Sequence, residues 1–120
     1  ALAKPSSSLM TLPPLAFFDF VRLERDAACV ITDSGTVQEE CAILRIPNVT
    51  IRDVTERPET VEAGSNIIAG SDPSTITRAV NMARALPTDW RIPPEYQAPR
   101  TAAAIAKVVL GHTSIRRHYS

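Results

Sequence analysis

Apolar and polar positions alternate along this chain in blocks of two kinds. Short continuous apolar runs, such as Cys29-Val30-Ile31-Thr32 and Asn66-Ile67-Ile68-Ala69, suit strands buried on both faces of a sheet. Longer stretches show helical spacing. Phe17, Phe20, Val21 and Leu23 recur within a helix expected over 15–27, which Pro13-Pro14 precede. Val37 to Leu44 reads as a second helix, ended before Pro47. Val49 to Arg52 is a further strand, and Pro58 opens a short helix. Ser71 or Asp72 caps a helix carrying Ile76, Ala79, Val80, Ala83 and Leu86. Leu9 to Leu12 is expected as one more short strand, stopped by the two prolines. Residues 87–100 hold four prolines and read as an extended loop. Ala102 to Leu110 is an alanine-rich helix with Gly111 as its stop, followed by a polar, mobile tail over 112–120.

Strands alternating with helices predict the α/β class: a Rossmann-like parallel sheet with helices on both faces. In such a sheet the loops after the strands gather along one edge, where ligands bind. Residues 1–111 are expected to form one domain.

Composition narrows the function. The 120 residues hold 13 basic and 13 acidic side chains, and this balance argues against a nucleic-acid partner. No apolar run reaches the roughly 20 residues of a membrane span. The opening residues lack a signal-peptide layout and an initiating Met, which points to a fragment of a longer, cytoplasmic chain. Cys29 and Cys41 are expected as buried thiols rather than a disulfide.

Chemistry concentrates at Asp33-Ser34-Gly35-Thr36-Val37-Gln38-Glu39-Glu40, where a buried strand turns at a glycine into a helix. Free amides at Gly35, Thr36 and Val37, with the positive end of the helix dipole, make an anion site to which the Ser34 and Thr36 hydroxyls add donors. The same residues also fit a capped helix, with Ser34 as N-cap and Gln38 or Glu39 near the N3 position. Glu40 fits a double acceptor for a ribose diol or a solvated helix charge. Arg57, in the charged loop Arg52-Asp53-Val54-Thr55-Glu56-Arg57-Pro58, fits a diphosphate clamp or a surface ion-pair cluster. The four glycines, at 35, 64, 70 and 111, build neither a dinucleotide fingerprint nor a P-loop.

Together these segments resemble the UDP-N-acetylglucosamine 2-epimerase family. Asp33 to Glu40 is similar to its D-S-G-G-x-Q-E-E, and Arg52 to Glu59 to its R-D-x-T-E-R-P-E, followed by Val61-Glu62-Ala63-Gly64. The resemblance runs over roughly residues 9–110. It implies the second half of a two-domain GT-B fold, with the substrate held between the halves and the N-terminal domain absent. It also implies that Ser34, Gly35 and Thr36 hold the diphosphate of UDP, Glu40 takes the ribose hydroxyls, and Arg57 lies near the phosphates. Phe20 falls where the family sets an aromatic ring against uracil, or else is a core phenylalanine.

Two positions depart from the pattern. Thr36 replaces the second glycine, and its β-branch restricts the loop. Leu15 stands where some members carry a glutamine. The run Ile46 to Thr60 is most similar to the subgroup of UDP-N-acetyl-L-fucosamine synthases, which serves cell-surface polysaccharides.

The reaction implied is inversion at C2 by elimination and re-addition of UDP, without metal or cofactor. Its catalytic groups lie in the N-terminal domain, so no catalytic residue is expected here, and His112 and His118 are poor substitutes. A stand-alone UDP-binding module and a hydrolysing relative are the competing readings. The apolar face left by an absent domain predicts a homo-oligomer.

Overall fold

The computed structural model describes the backbone of residues 8–119 and the side chains of residues 8–111. The expected tail (112–120), with His112 and His118, has its side chains outside the described residues.

The elements run α1 (Phe17–Asp26), β1 (Val30–Thr32), α2 (Gly35–Leu44), β2 (Asn48–Thr50), α3 (Pro58–Ala63), β3 (Asn66–Ile68), α4 (Pro73–Ala85), a 3-10 turn (Pro94–Gln97) and α5 (Thr101–Tyr119). The three strands form one parallel sheet in the order β1-β2-β3. Ile31 pairs with Val49, and Val49 with Ile67. Parallel pairing places the carboxyl ends of all three strands, and the loops that follow them, along one edge. This is the expected Rossmann-like arrangement.

Three local expectations need correction. Leu9 to Leu12 is not a strand: the segment lies outside the sheet, with Leu9 61% and Met10 77% exposed. Extended backbone becomes a strand only when it gains hydrogen-bonding partners and buries a face, and this segment does neither. Gly111 does not stop the last helix, whose backbone continues to Tyr119. A glycine costs a helix interior only about 1 kcal/mol, too little to end it without a following αL turn. The capping box at α2 is also absent. The helix begins at Gly35, so N3 is Val37, and Ser34 makes no side-chain cap bond.

The sheet has two unlike faces, because successive strand residues point opposite ways. Val49, fully buried, meets Ala79 and Ala83 of α4, with Cys29, Ile67, Ile76 and Val80 packed around them. Small residues on α4 let helix and sheet approach closely. On the other face Asn48 and Thr50 are buried among polar groups of α2 and α3. Asp72 starts α4 by accepting a hydrogen bond from the Thr75 amide at 2.9 Å. Arg45 ends α2 in the left-handed region (φ 59°). Its guanidinium bonds the Trp90 carbonyl, and the Trp90 indole donates to the Ala42 carbonyl at 3.0 Å. The proline-rich loop is thereby pinned beneath α2. Cys29 and Cys41 are free thiols. Among the described residues no helix is long and apolar enough to cross a membrane.

Candidate functional site

The edge after β1 is where the sequence expected an anion site. The chain leaves the sheet at Thr32, and the Ser34 amide is satisfied by Thr32 Oγ1 at 3.0 Å. Ser34 then stands extended (φ −87°, ψ 130°) as the N-cap of α2, and its carbonyl accepts from the Gln38 amide. The Gly35, Thr36 and Val37 amides precede any intrahelical partner, and no side chain caps them. No acidic side chain occupies this first turn. The positive end of the helix therefore stays uncompensated from within.

Arg57 supplies the second half of the feature. A Cβ built on Gly35 would lie 3.5 Å from the guanidinium carbon of Arg57 and 3.6 Å from Nη2. The guanidinium is thus stacked against the helix start, and a longer side chain at 35 would displace it. Arg57 Nε pairs with Glu39, and Nη1 donates to the Glu56 carbonyl at 3.1 Å. This pairing holds the Arg57 guanidinium above its ordinary pKa, so it is charged at any working pH. Among the described residues Nη2 has no hydrogen-bond partner. Of the charged loop, Arg52 forms an ion pair with Glu56, bidentate at 2.9 and 3.0 Å, whereas Arg57 is the residue turned to the helix.

A buried polar network sets the position of Arg57. Gln38, 0% exposed, accepts from Thr55 Oγ1 at 2.5 Å and from Asn66 Nδ2 at 3.0 Å. Asn66 Nδ2 also reaches Thr60 Oγ1, and Thr50 Oγ1 donates to Asn66 Oδ1 at 2.7 Å. Thr60 Oγ1 then bonds the Arg57 carbonyl at 2.7 Å, and the Arg57 amide bonds Thr55 Oγ1 at 3.0 Å. The loop before α3 is hence tied to α2 and β3 at both ends. Gln38 and Thr55 belong to the two separate motifs, and only the fold brings them into contact. The signal was an asparagine, Asn66, opening the apolar run that ends at Ala69.

Phe20 lies on the side of α1 that faces β1, and is 39% exposed. It lines a groove of about 860 Å³ with Leu15, Leu23, Glu24, Ile31 and Val37. Phe20 is thus a groove residue rather than a core phenylalanine. Leu15 lines the same groove.

Glu40 is half-buried, not solvated, and its Oε2 is buried without a hydrogen-bond partner. It meets Glu24 of α1, a residue that sequence reasoning missed. Glu24 is 4% exposed, and burial followed by the Glu40 carboxyl pushes it up to about 7. The available signal was its position one helical turn after Phe20, which places it on the same face. Burial also pushes the Cys41 thiol to about 12, and raises Cys29, so neither is a thiolate nucleophile. Among the described residues no three metal-ligating side chains converge.

Known proteins share this fold and sequence. The UDP-N-acetylglucosamine 2-epimerase family matches residues 1–110. The chain is 40% identical over 90 residues to the UDP-N-acetylglucosamine 2-epimerase of Methanocaldococcus jannaschii, covering 75% of this chain and 25% of that protein. It is 45% identical over 82 residues to the enzyme of that name from Methanococcus maripaludis, covering 68% and 22%. Among solved structures, the M. jannaschii enzyme in complex with UDP-GlcNAc and UDP superposes with a TM-score of 0.75 at 36% identity, over 82% of this chain and 27% of that one. The UDP-N-acetylglucosamine 2-epimerase of Rickettsia bellii gives 0.77 at 32% identity, over 87% and 29%. The chain thus spans about a quarter of the length of the relatives it matches. With the strand-turn-helix edge, the arginine stacked on it and these matches in agreement, the chain belongs to the UDP-N-acetylglucosamine 2-epimerase family.

Proposed function

We propose that residues 1–111 are the UDP-binding domain of a non-hydrolysing UDP-N-acetylhexosamine 2-epimerase that works in the cytoplasm on precursors of bacterial cell-surface polysaccharide. The observation that carries this is the Arg57 guanidinium packed against Gly35 at the uncapped start of α2. Three backbone amides, a helix dipole and a fixed cation then converge on one small volume, which suits a pyrophosphate. The Ser34 and Thr36 hydroxyls add donors. Phe20 presents an aromatic wall to the uracil, and Glu40 accepts from the ribose hydroxyls.

In this role the domain stabilises departing UDP. Donors already aimed at the diphosphate lower the cost of the charge that grows there as the C1–O bond breaks. The C2 proton is removed and returned by groups of a preceding domain, so this chain alone binds and does not turn over. The test is calorimetric titration of the 120-residue chain with UDP, paired with deuterium exchange at C2 of UDP-GlcNAc. Weak UDP binding without exchange is the expected result. Absence of UDP binding overturns the site, and C2 exchange overturns the division of labour.

A further inference from the structure

Glu24 is the only buried residue of α1, and it carries an ionisable group. Both of its oxygens are buried without a hydrogen-bond partner, as is Oε2 of Glu40. After burial itself, Glu40 is the neighbour that raises the Glu24 carboxyl, so the two groups face each other between α1 and α2. Carboxylates have only acceptors, so the contact holds only with a proton between them. Among the described residues no cation forms an ion pair with either carboxyl. On α1, Arg22 and Arg25 are exposed and turned to Asp26. From α2 comes the Cys41 thiol and from just before β1 the Cys29 thiol, both raised by burial and therefore neutral. Glu24 also lines the groove one turn beyond Phe20.

Resting on the UDP reading above, we propose that Glu24 is a positioning residue: its carboxyl shares one proton with Glu40, holds that carboxylate for the ribose hydroxyls, and makes nucleotide-sugar affinity fall when that proton is lost. With the proton present, the pair bears one negative charge, and Glu40 is oriented by a donor it finds nowhere else. Without it, two carboxylates repel in a poorly solvated space, and a further negative charge faces an anionic ligand.

The probe is UDP-GlcNAc titrated into the full chain between pH 5.5 and 8.5. Its diphosphate diester keeps a constant charge over that range. Wild-type affinity is expected to fall about five- to tenfold from pH 6 to pH 8, the change allowed by one group titrating there. Glu24→Gln, whose amide donates at every pH, is expected to hold the pH 6 wild-type affinity throughout. Glu24→Leu is expected to bind more weakly and without pH dependence. A flat wild-type profile, or a Glu24→Gln profile that parallels the wild type, overturns the proposal and leaves the UDP site standing. No binding by the wild type at any pH removes the UDP reading, and with it the ligand half of this one. The shared proton is then judged on the free chain by carbon-13 NMR of the glutamate carboxyls. One carboxyl titrating near 7, lost in Glu24→Gln and lowered in Glu40→Gln, is expected. Every glutamate titrating below pH 5.5 overturns it.

Discussion

Around α2 the molecule is polar inside and closed; along α5 it is apolar outside and open. Gln38, Asn66, Thr50 and Thr60 are each at most 3% exposed, and hydrogen bonds join them into one network. Ile105, Val108, Val109 and Leu110 of α5 are each at least 57% exposed. The contrast shows two ways of using side chains. Hydrogen bonds are directional, so a buried network fixes the backbone of Arg57 at both its amide and its carbonyl. Apolar attraction is not directional, so an exposed stripe dictates no geometry of its own.

The comparison breaks most directly at Asn66. Asn66→Leu removes three hydrogen bonds and leaves Gln38, Thr50 and Thr60 buried without that partner. A loss of about 3–5 kcal/mol in urea unfolding is expected. A loss under about 1 kcal/mol would mean that the apolar face alone holds the sheet.

Arg57→Ala tests what the network is for. UDP affinity should fall roughly tenfold to a hundredfold, a charge-assisted contact of about 1.5–3 kcal/mol. Uridine affinity should barely change. Stability should hardly move, because the Glu39 pair is one-third exposed on both sides. Equal losses for UDP and uridine would place Arg57 away from the phosphates.

Glu24 adds a pH-dependent contribution to stability. Its carboxyl is raised in the folded chain from an ordinary 4.5 to about 7. The folded state therefore holds the proton more tightly than the unfolded one. Stability from this group is fully present below pH 4.5 and lost as the pH climbs through about 7. Glu24→Gln should abolish that decline and be more stable than wild type at pH 8 by about 2 kcal/mol, with no advantage at pH 4. Thermal melts at the two pH values decide it. An unchanged difference between them would place the carboxyl in water.

The smallest effect is expected on α5. Ile105→Glu with Val108→Glu should leave stability within about 0.5 kcal/mol, since neither side chain is buried. Light scattering should show weaker self-association. A clean wild-type monomer at high concentration would count against α5 as a contact surface.

The alternation of elements was legible because strand and helix periods differ, and the β1–α2, α3 and α4 placements follow it closely. Leu9 to Leu12 shows the limit. Its side chains are those of a strand, but whether a partner edge takes it up is a tertiary matter. The motif residues were also legible as a group. Gln38 and Thr55 sit 17 positions apart, and only the fold shows that they share a hydrogen bond. Glu24 was the clearest omission. A charged residue on a partly apolar helix reads as solvated, because its burial depends on the helix packed across from it.

The order of residues by itself determined the α/β class, the turn at Gly35 and the family to which the chain is similar. These depend on local periodicity and on short contiguous motifs. The tertiary structure alone decided that Arg57 lies over the start of α2, that Phe20 lines a groove, and that Glu24 meets Glu40. Each of these is a contact between distant segments, and its energy depends on separation and burial that no single stretch of chain contains.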